Sequence, residues 1–507
     1  MQKDESLAGT KEWMALAVLA LPTLLVSMDT TVVYLAIPSI SSALKPTSSQ
    51  QLWITDIYGF IEAGLLITLG SLGDRIGRRK LLLMGAVAFA FASALAAFAK
   101  DANLLIAARA LLGMAGATLL PSTLSMVRNM FHNEAQRAFA IGLWTTCFST
   151  GTMLGPLVGG FLLGHFWWGS VFLMGVPVML LFLILGPLLL PEFKDPGGAK
   201  FDLTSVFLLI ASILPVTYGI KQIAEQGIEL IFMLPILAGV LFSIAFLRRQ
   251  RRLTDPLINL SLFKIPPFRI ALVTLPVSLF MWAGIFLFVS QYLQLILNMD
   301  PFTAGLWTLP AAVASTISCA STHELTKVCP KPALVIIGLV TMAISLVVLT
   351  QISGTLPVLI IATILLSLGC GLVVTLSTNM VMTAAPPERA GAAAGISETS
   401  TALGASFGIA LLGSIGVAVY RYHLAELKVY GIPQTAIHIA QNTFGAAVQA
   451  AKQLNGEPGQ KLISLTKTAF LQSFQVTAGA AAVVMFIIAI VVGVMFRQYD
   501  KQQQSNL

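Results

Sequence analysis

From Trp13 to Phe496 the chain is a succession of apolar runs, each long enough to cross a lipid bilayer, joined mostly by short turns that hold most of the charge. Runs of spanning length fall near 13–37, 52–72, 81–98, 103–127, 138–162, 168–190, 204–221 and 229–247. Six more lie near 270–295, 302–322, 332–351, 355–382, 391–420 and 473–496. They number about fourteen, and each suits a ~30 Å hydrocarbon core at ~1.5 Å per residue. A soluble fold is excluded by the same composition. Of 507 residues, 56% are hydrophobic and 10% charged, and mean hydropathy is +0.86; a soluble domain carries about 25% charged residues. The expected class is an all-α integral membrane protein.

The formal net charge of +8 would suit a nucleic-acid partner if the cations shared one domain. Instead they lie in the turns, where Lys and Arg orient spans. With the N-terminus cytoplasmic, the inner turns collect Arg75, Arg78, Arg79, Lys80, Arg128, Arg137, Lys194, Lys200, Arg248, Arg249, Arg251, Arg252, Lys264, Arg269, Lys327, Lys331 and Arg389. The short outer turns carry only Lys45, Lys100 and Lys221. An even number of spans with both termini cytoplasmic is therefore expected, with the lipid bilayer as solvent and no nucleic-acid partner. The polar segment Met1–Trp13 with no cleavage site after the first run reads as a signal anchor. Cys147, Cys319, Cys329 and Cys370 have no C-x-x-C spacing, so neither a disulfide framework nor a metal site is expected.

Two features suggest an internal plan. Glu134–Gly142 opens the fifth run and Pro387–Gly395 the thirteenth, each leading into a small-residue helix. This suggests an N-terminal six-helix bundle (1–195), two inserted helices with a linker (196–265) and a C-terminal six-helix bundle (266–507). Residues 421–472 form a long outer loop, with helix-favouring sequence over Gln434–Leu454 and a turn at Gly456 and Pro458. It is either a solvated hairpin of two short helices or part of substrate entry.

Between the second and third runs lies Gly70-Ser71-Leu72-Gly73-Asp74-Arg75-Ile76-Gly77-Arg78-Arg79-Lys80, read as a tight basic turn on a membrane face. Charge inside the runs is rare, and a charge at the bilayer centre costs about 2.5–3.5 kcal/mol or more. Asp29, Asp56, Glu62, Glu398 and Arg109 are the exceptions. Asp29, Asp56 and Arg109 fall at similar depth in one half of the membrane. An Asp–Arg pair there is either a static ion pair or one that exchanges partners as a proton comes and goes, and Asp56 alternatively sits at a solvated helix end. Glu62 lies six residues after Asp56, about 120° around the helix, so the two need not face the same space. Glu398 lies near mid-membrane among Ser397, Thr399, Ser400 and Thr401, with no basic residue expected in any second-half span. That suits a proton carrier or a counter-ion for a cation.

Gly151, Gly155 and Gly159, at i, i+4 and i+8 around Pro156, make a flat stripe that lets another helix approach, with a bend at the proline. Gly404 and Gly408 make a similar pair. Tyr34, Trp53 and Trp144 offer cation–π surface or ordinary packing.

The chain resembles the fourteen-helix drug/proton antiporter family of the major facilitator superfamily over nearly its whole length. The resemblance rests on Met28–Pro38, Gln51–Tyr58, the Gly70–Lys80 segment, Ala108–Gly113 and Gly151–Gly160. It implies a major facilitator fold of two six-helix bundles plus two inserted helices, in a bacterial inner membrane. It also implies a monomeric transporter rather than an enzyme, with no cofactor or metal. It places Asp29, Asp56 and Glu398 on carboxylates linked to protonation or cation binding, and Arg109 on the arginine of the fourth span. Gly70, Asp74, Arg75, Gly77 and Arg78 fall on a cytoplasmic latch. The chain departs from the family pattern in lacking an acid in the tenth span (Pro310–Ser318) and in having Ser397 and Ala402 at further acid positions. It also adds Glu62, and His323–Cys329 lacks the second basic glycine motif.

The resemblance implies export of lipophilic cations such as quaternary ammonium compounds, biguanides, dyes and methyl viologen, driven by proton entry. Four intramembrane acids against one arginine agree. The alternatives are export of tetracycline-like, anionic or zwitterionic amphiphiles, and a membrane sensor that transports nothing. No nucleophile motif, metal spacing or phosphate-binding loop points to an enzyme.

Overall fold

Every apolar run becomes a helix, because a chain in lipid satisfies its backbone groups within each segment. The computed structural model describes residues 7–193, 202–253, 256, 265–384, 390–425, 432–454 and 456–505, without the side chains at 67, 71, 74, 134, 135, 138, 149, 323, 382–384, 390–395 and 500–505. The helices are α1 (Thr10–Leu44), α2 (Ser48–Ile76), α3 (Arg78–Ala97), α4 (Ala102–Met130), α5 (Glu134–His165), α6 (Ser170–Leu173), α7 (Gly175–Leu189), α8 (Leu203–Gln226) and α9 (Leu230–Arg252). There follow α10 (Pro266–Gln291), α11 (Pro301–Leu306), α12 (Leu309–Val328), α13 (Lys331–Leu349), α14 (Leu356–Ala384), α15 (Ala390–Ala425), α16 (Gln434–Asn442), α17 (Phe444–Leu454) and α18 (Glu457–Ser505). Thirteen helical segments among the described residues are long and apolar enough to cross a membrane, α6–α7 and α11–α12 each counting as one. Helix α2, 29 residues long, covers the remaining expected run near 52–72.

The chain forms two compact units. The first holds Met1–Ala36, Ile57–Ile210 and Pro301–Leu306; the second holds Ile37–Asp56, Ala211–Asp300 and Trp307–Leu507. In the first, α3 packs on α4 and α7, and α5 packs on α11. The glycine stripe of α5 faces α1: a Cβ at Gly151, Gly155 or Gly159 would land on Ser27, Thr31 or Val32. In the second, α10 packs on α14 and α15, and α13 on α14 and α18. There Gly404 and Gly408 of α15 lie against the Pro276 and Phe280 backbone of α10. The fifth and thirteenth runs thus use glycine in the same way, each against an earlier helix of its own unit. Large apolar side chains such as Phe91, Ile184, Ile487 and Ile490 point outward, as a lipid-facing surface requires.

Three expectations change. The tight turn expected over Gly70–Lys80 narrows to a single residue. Helix α2 runs to Ile76, α3 starts at Arg78, and Gly77 alone joins them with φ +111°. Only a residue without Cβ fits that conformation and the Glu192 carboxylate beside it. Glu192, after α7, accepts from the backbone N–H groups of Arg79 (3.0 Å) and Lys80 (3.2 Å), and Phe193 O accepts from Arg78 N at 2.9 Å. An anion therefore caps a helix N-terminus that carries three cations.

Lys221 is not in an outer turn. Helix α8 continues five residues past it to Gln226, and Lys221 is 1% exposed. Hydropathy falls at a lysine whether or not the helix ends there.

The 421–472 segment does contain two short helices, but its last arm is no loop. Helix α18 begins at Glu457 and runs 49 residues into the final span, with α17 packed on it. Tyr420 donates to Ala440 O at 3.0 Å, and Ser48 donates to Asn442 O, so the hairpin is tied to α15 and to the start of α2.

Candidate functional site

Among the described residues, buried charges of opposite sign meet around Arg109 in the first unit and around Lys221 in the second. In the first unit α4 brings Arg109 against Asp29 of α1. The guanidinium Nη1 donates to Asp29 Oδ2 at 2.5 Å, with side chains 1% and 4% exposed. The Arg109 guanidinium also lies 4.6 Å from the Tyr58 ring centroid and 5.8 Å from that of Phe172. Tyr58 O–H donates to Glu62 Oε1 at 3.4 Å, one turn along α2. Glycine makes this possible. A Cβ at Gly113 would collide with the Tyr58 backbone, and one at Gly116 would lie 2.5 Å from the Tyr58 hydroxyl and 3.2 Å from Glu62 Oε1.

The result is a buried series of carboxylate, guanidinium, aromatic ring and carboxylate. Arginine does not give up its proton, so any proton exchanged here resides on a carboxylate. A proton on Asp29 would remove the charge that holds Arg109.

The ring matters more than its hydroxyl in this arrangement. Tyr58→Phe is expected to cost about 1.5 kcal/mol, the low end for a hydrogen bond to a carboxylate, since this one is 3.4 Å long. Tyr58→Ala, which takes the ring from Arg109 and leaves a cavity, is expected to cost about 3–5 kcal/mol. Thermal unfolding of the two purified variants distinguishes them, and equal shifts would show that the hydroxyl is what holds the site.

In the second unit Asp56 is 0% exposed and is no solvated helix end. Lys221 of α8 straddles its carboxylate, with Nζ 2.9 Å from Oδ1 and 2.7 Å from Oδ2. The same ammonium lies 3.6 Å from the centroid of the Trp53 ring. One turn on, Glu225 Oε2 accepts from Ser49 N at 3.2 Å and from Thr47 Oγ1 at 3.4 Å. Thr47 and Gln50 cap α2 reciprocally, side chain to backbone N–H, at 3.0 and 3.2 Å. Helix α8 is thus bound to the first turns of α2 through both of its last charged groups.

Glu398, on α15, is exposed and makes no hydrogen bond or ion pair among the described residues. Its neighbours Ser397 and Thr399 are each 4% exposed, and Thr399 Oγ1 has no partner among the described residues.

Tyr34 is buried in α1, and Trp144 donates to Thr123 Oγ1 at 3.1 Å. Gly70 lies against Pro121 of α4, Arg75 is half-buried in the last turn of α2, and Arg78 is buried. The Asp74 side chain and residues 385–389 lie outside the described residues. Sequence reasoning missed Lys221 and Glu192 as partners. The available signal for Lys221 was its i, i+4 spacing to Glu225 at the end of an apolar run.

The chain matches the Major Facilitator Superfamily over residues 19–409. It is 40% identical to the multidrug efflux pump LfrA of Mycolicibacterium smegmatis over 491 residues, covering 96% of this chain and 97% of that one. It is 32% identical to the methyl viologen resistance protein SmvA of Salmonella typhimurium, covering 95% and 97%. Among solved structures it resembles an inward-facing, unoccupied bacterial homologue of the human lysosomal transporter Spinster, with TM-score 0.67, 15% identity, and 97% and 98% coverage.

Proposed function

Because the chain belongs to the Major Facilitator Superfamily, we propose that it is a drug exporter of the cytoplasmic membrane, coupled to protons and working by alternating access on lipophilic cations. Both termini are assigned to the cytoplasm on the placement of Lys and Arg. Drug export is supported by the names of its relatives, LfrA and SmvA. Proton coupling to a cation is supported above all by Glu398, an accessible carboxylate inside a spanning helix with no cation beside it among the described residues.

On this reading a cationic substrate and a proton compete for the Glu398 carboxylate. Protonation from outside removes the charge that holds the substrate, which leaves outward, and loss of the proton to the cytoplasm resets the site. In the first unit a proton on Asp29 loosens Arg109, whose charge Glu62 then answers across the Tyr58 ring. Proton binding is thereby tied to helix α4, which carries Arg109.

The test is collapse of a preset pH gradient in everted vesicles on adding ethidium, a monovalent quaternary ammonium or a divalent biguanide. Wild type is expected to collapse it, and Glu398→Gln to lose most of the response at equal protein level. A second reading, export of anionic or zwitterionic amphiphiles, gains support from Lys221, a buried base that the sequence placed in an outer turn. Collapse by tetracycline alone would establish that reading. No response to any compound would favour a protein that senses without transporting.

A further inference from the structure

The Lys221 ammonium sits where an organic cation would be recognised. It lies between the two oxygens of one carboxylate, at 2.7 and 2.9 Å, and over the face of an indole at 3.6 Å, with no exposure of either charged side chain. A carboxylate beside an aromatic face is the chemistry that binds alkylammonium and phosphonium ions. Trp53 and Asp56 are three residues apart on α2, so both project from one face of the helix. The one acid on α8 is Glu225, whose Oε2 is committed to the start of α2.

An ion pair of this kind is a costly way to join two helices. Taking both charges out of water costs several kcal/mol per ion, and an apolar pair of equal volume is often as stable or more so. A cation on a flexible four-carbon stem has another property: it can leave its partner without leaving the protein. Glu225, four residues on along the same helix, is within reach of such a stem.

We propose that Trp53 and Asp56 form an organic-cation site distinct from Glu398 and that Lys221 is its tethered occupant, so that a lipophilic cation enters only by displacing the Lys221 ammonium toward Glu225. The inference deepens the export reading and rests on it for the class of ligand. Lys221 then acts as an internal competitor. It weakens binding, and it leaves the site filled and neutral when no substrate is present.

The experiment measures equilibrium binding of tetraphenylphosphonium to the purified full chain in lipid nanodiscs. K221M is expected to bind about tenfold tighter than wild type, the scale of one buried cation–aromatic and carboxylate contact. K221R, which keeps a cation at that position, lacks the gain, and D56N/K221M loses it. E225Q, which removes the displaced ammonium's second partner and leaves no lone buried charge, is expected to bind several-fold more weakly than wild type. Equal binding by wild type and a monodisperse K221M overturns the site and makes the pair a clasp between α2 and α8. If K221M does not fold, wild-type affinity in E225Q overturns the site instead. Vesicle transport separates the two readings. Wild type that exports the phosphonium while K221M shows no gain refutes only the site. A gain in K221M with no export by wild type supports the site and refutes the export reading.

Discussion

Arg109→Met is expected to abolish transport and to destabilise the protein by about 3–5 kcal/mol, because it leaves the Asp29 carboxylate buried with its cation gone. Asp29 is 3% exposed and its Oδ2 lies 2.5 Å from the guanidinium, so water does not replace what is lost. The Tyr58 ring loses the cation 4.6 Å from its centroid at the same time. The two effects separate in the double variant Asp29→Asn with Arg109→Gln. Removing both charges is expected to restore most of the stability, since a buried pair contributes little net energy. On the proposed reading transport stays lost, since the buried carboxylate of α1 that would take the proton is gone. Thermal unfolding and vesicle transport of both variants decide the matter. An Arg109→Met protein of normal stability and transport would show that the pair is neither a structural nor a coupling element.

Gly155→Val is expected to have the second largest effect. A Cβ there would fall on Thr31 Oγ1 and within 2.9 Å of Met28 O, which belongs to the α1 backbone and has no rotamer in which to escape. Overpacking by added methyls costs about 1–3 kcal/mol even where side chains can adjust. Here helices α1 and α5 must separate, and α1 carries Asp29. Thr31 also donates to Thr152 O at 3.1 Å, a bond that separation would break. Loss of transport at reduced thermal stability is the expected result. Gly164→Ala, in the same helix but with open space around the new methyl, is expected to behave as wild type. If both substitutions were tolerated, the glycine stripe would be incidental to the fold.

The spanning helices were legible because apolarity over some twenty residues is a local property. Each expected run is helical, those near 168–190 and 302–322 being broken into two helices, and the glycine stripes of α5 and α15 were readable as contact faces before their partners were known. What was not legible is pairing. Arg109 and Asp29 are 80 residues apart and Lys221 and Asp56 are 165 apart, and no local pattern joins them. Arg109 was recognised as unusual because it lies inside a run. Lys221 was not, because it stands at the edge of one, where a lysine reads as a terminus. Asp56 was consequently left between two readings that its burial rules on. The start of α18 was hidden for a related reason: its first turns are amphipathic and rest on α17, so they lack the apolarity of a span while continuing its helix.

Chain order gives the contact between Glu192 and α3 a history. Arg79 and Lys80 are synthesised 113 and 112 residues before the carboxylate that caps them. Chains emerge and fold from the N-terminus. Until α7 is made, the backbone N–H groups of Arg79 and Lys80 therefore lack the carboxylate that caps them, during the interval in which basic residues orient the first spans. When α7 follows, Glu192 arrives and answers the same charge at the helix end. One cluster thus serves biosynthesis as a strong positive signal and the finished protein as a joint held by one carboxylate.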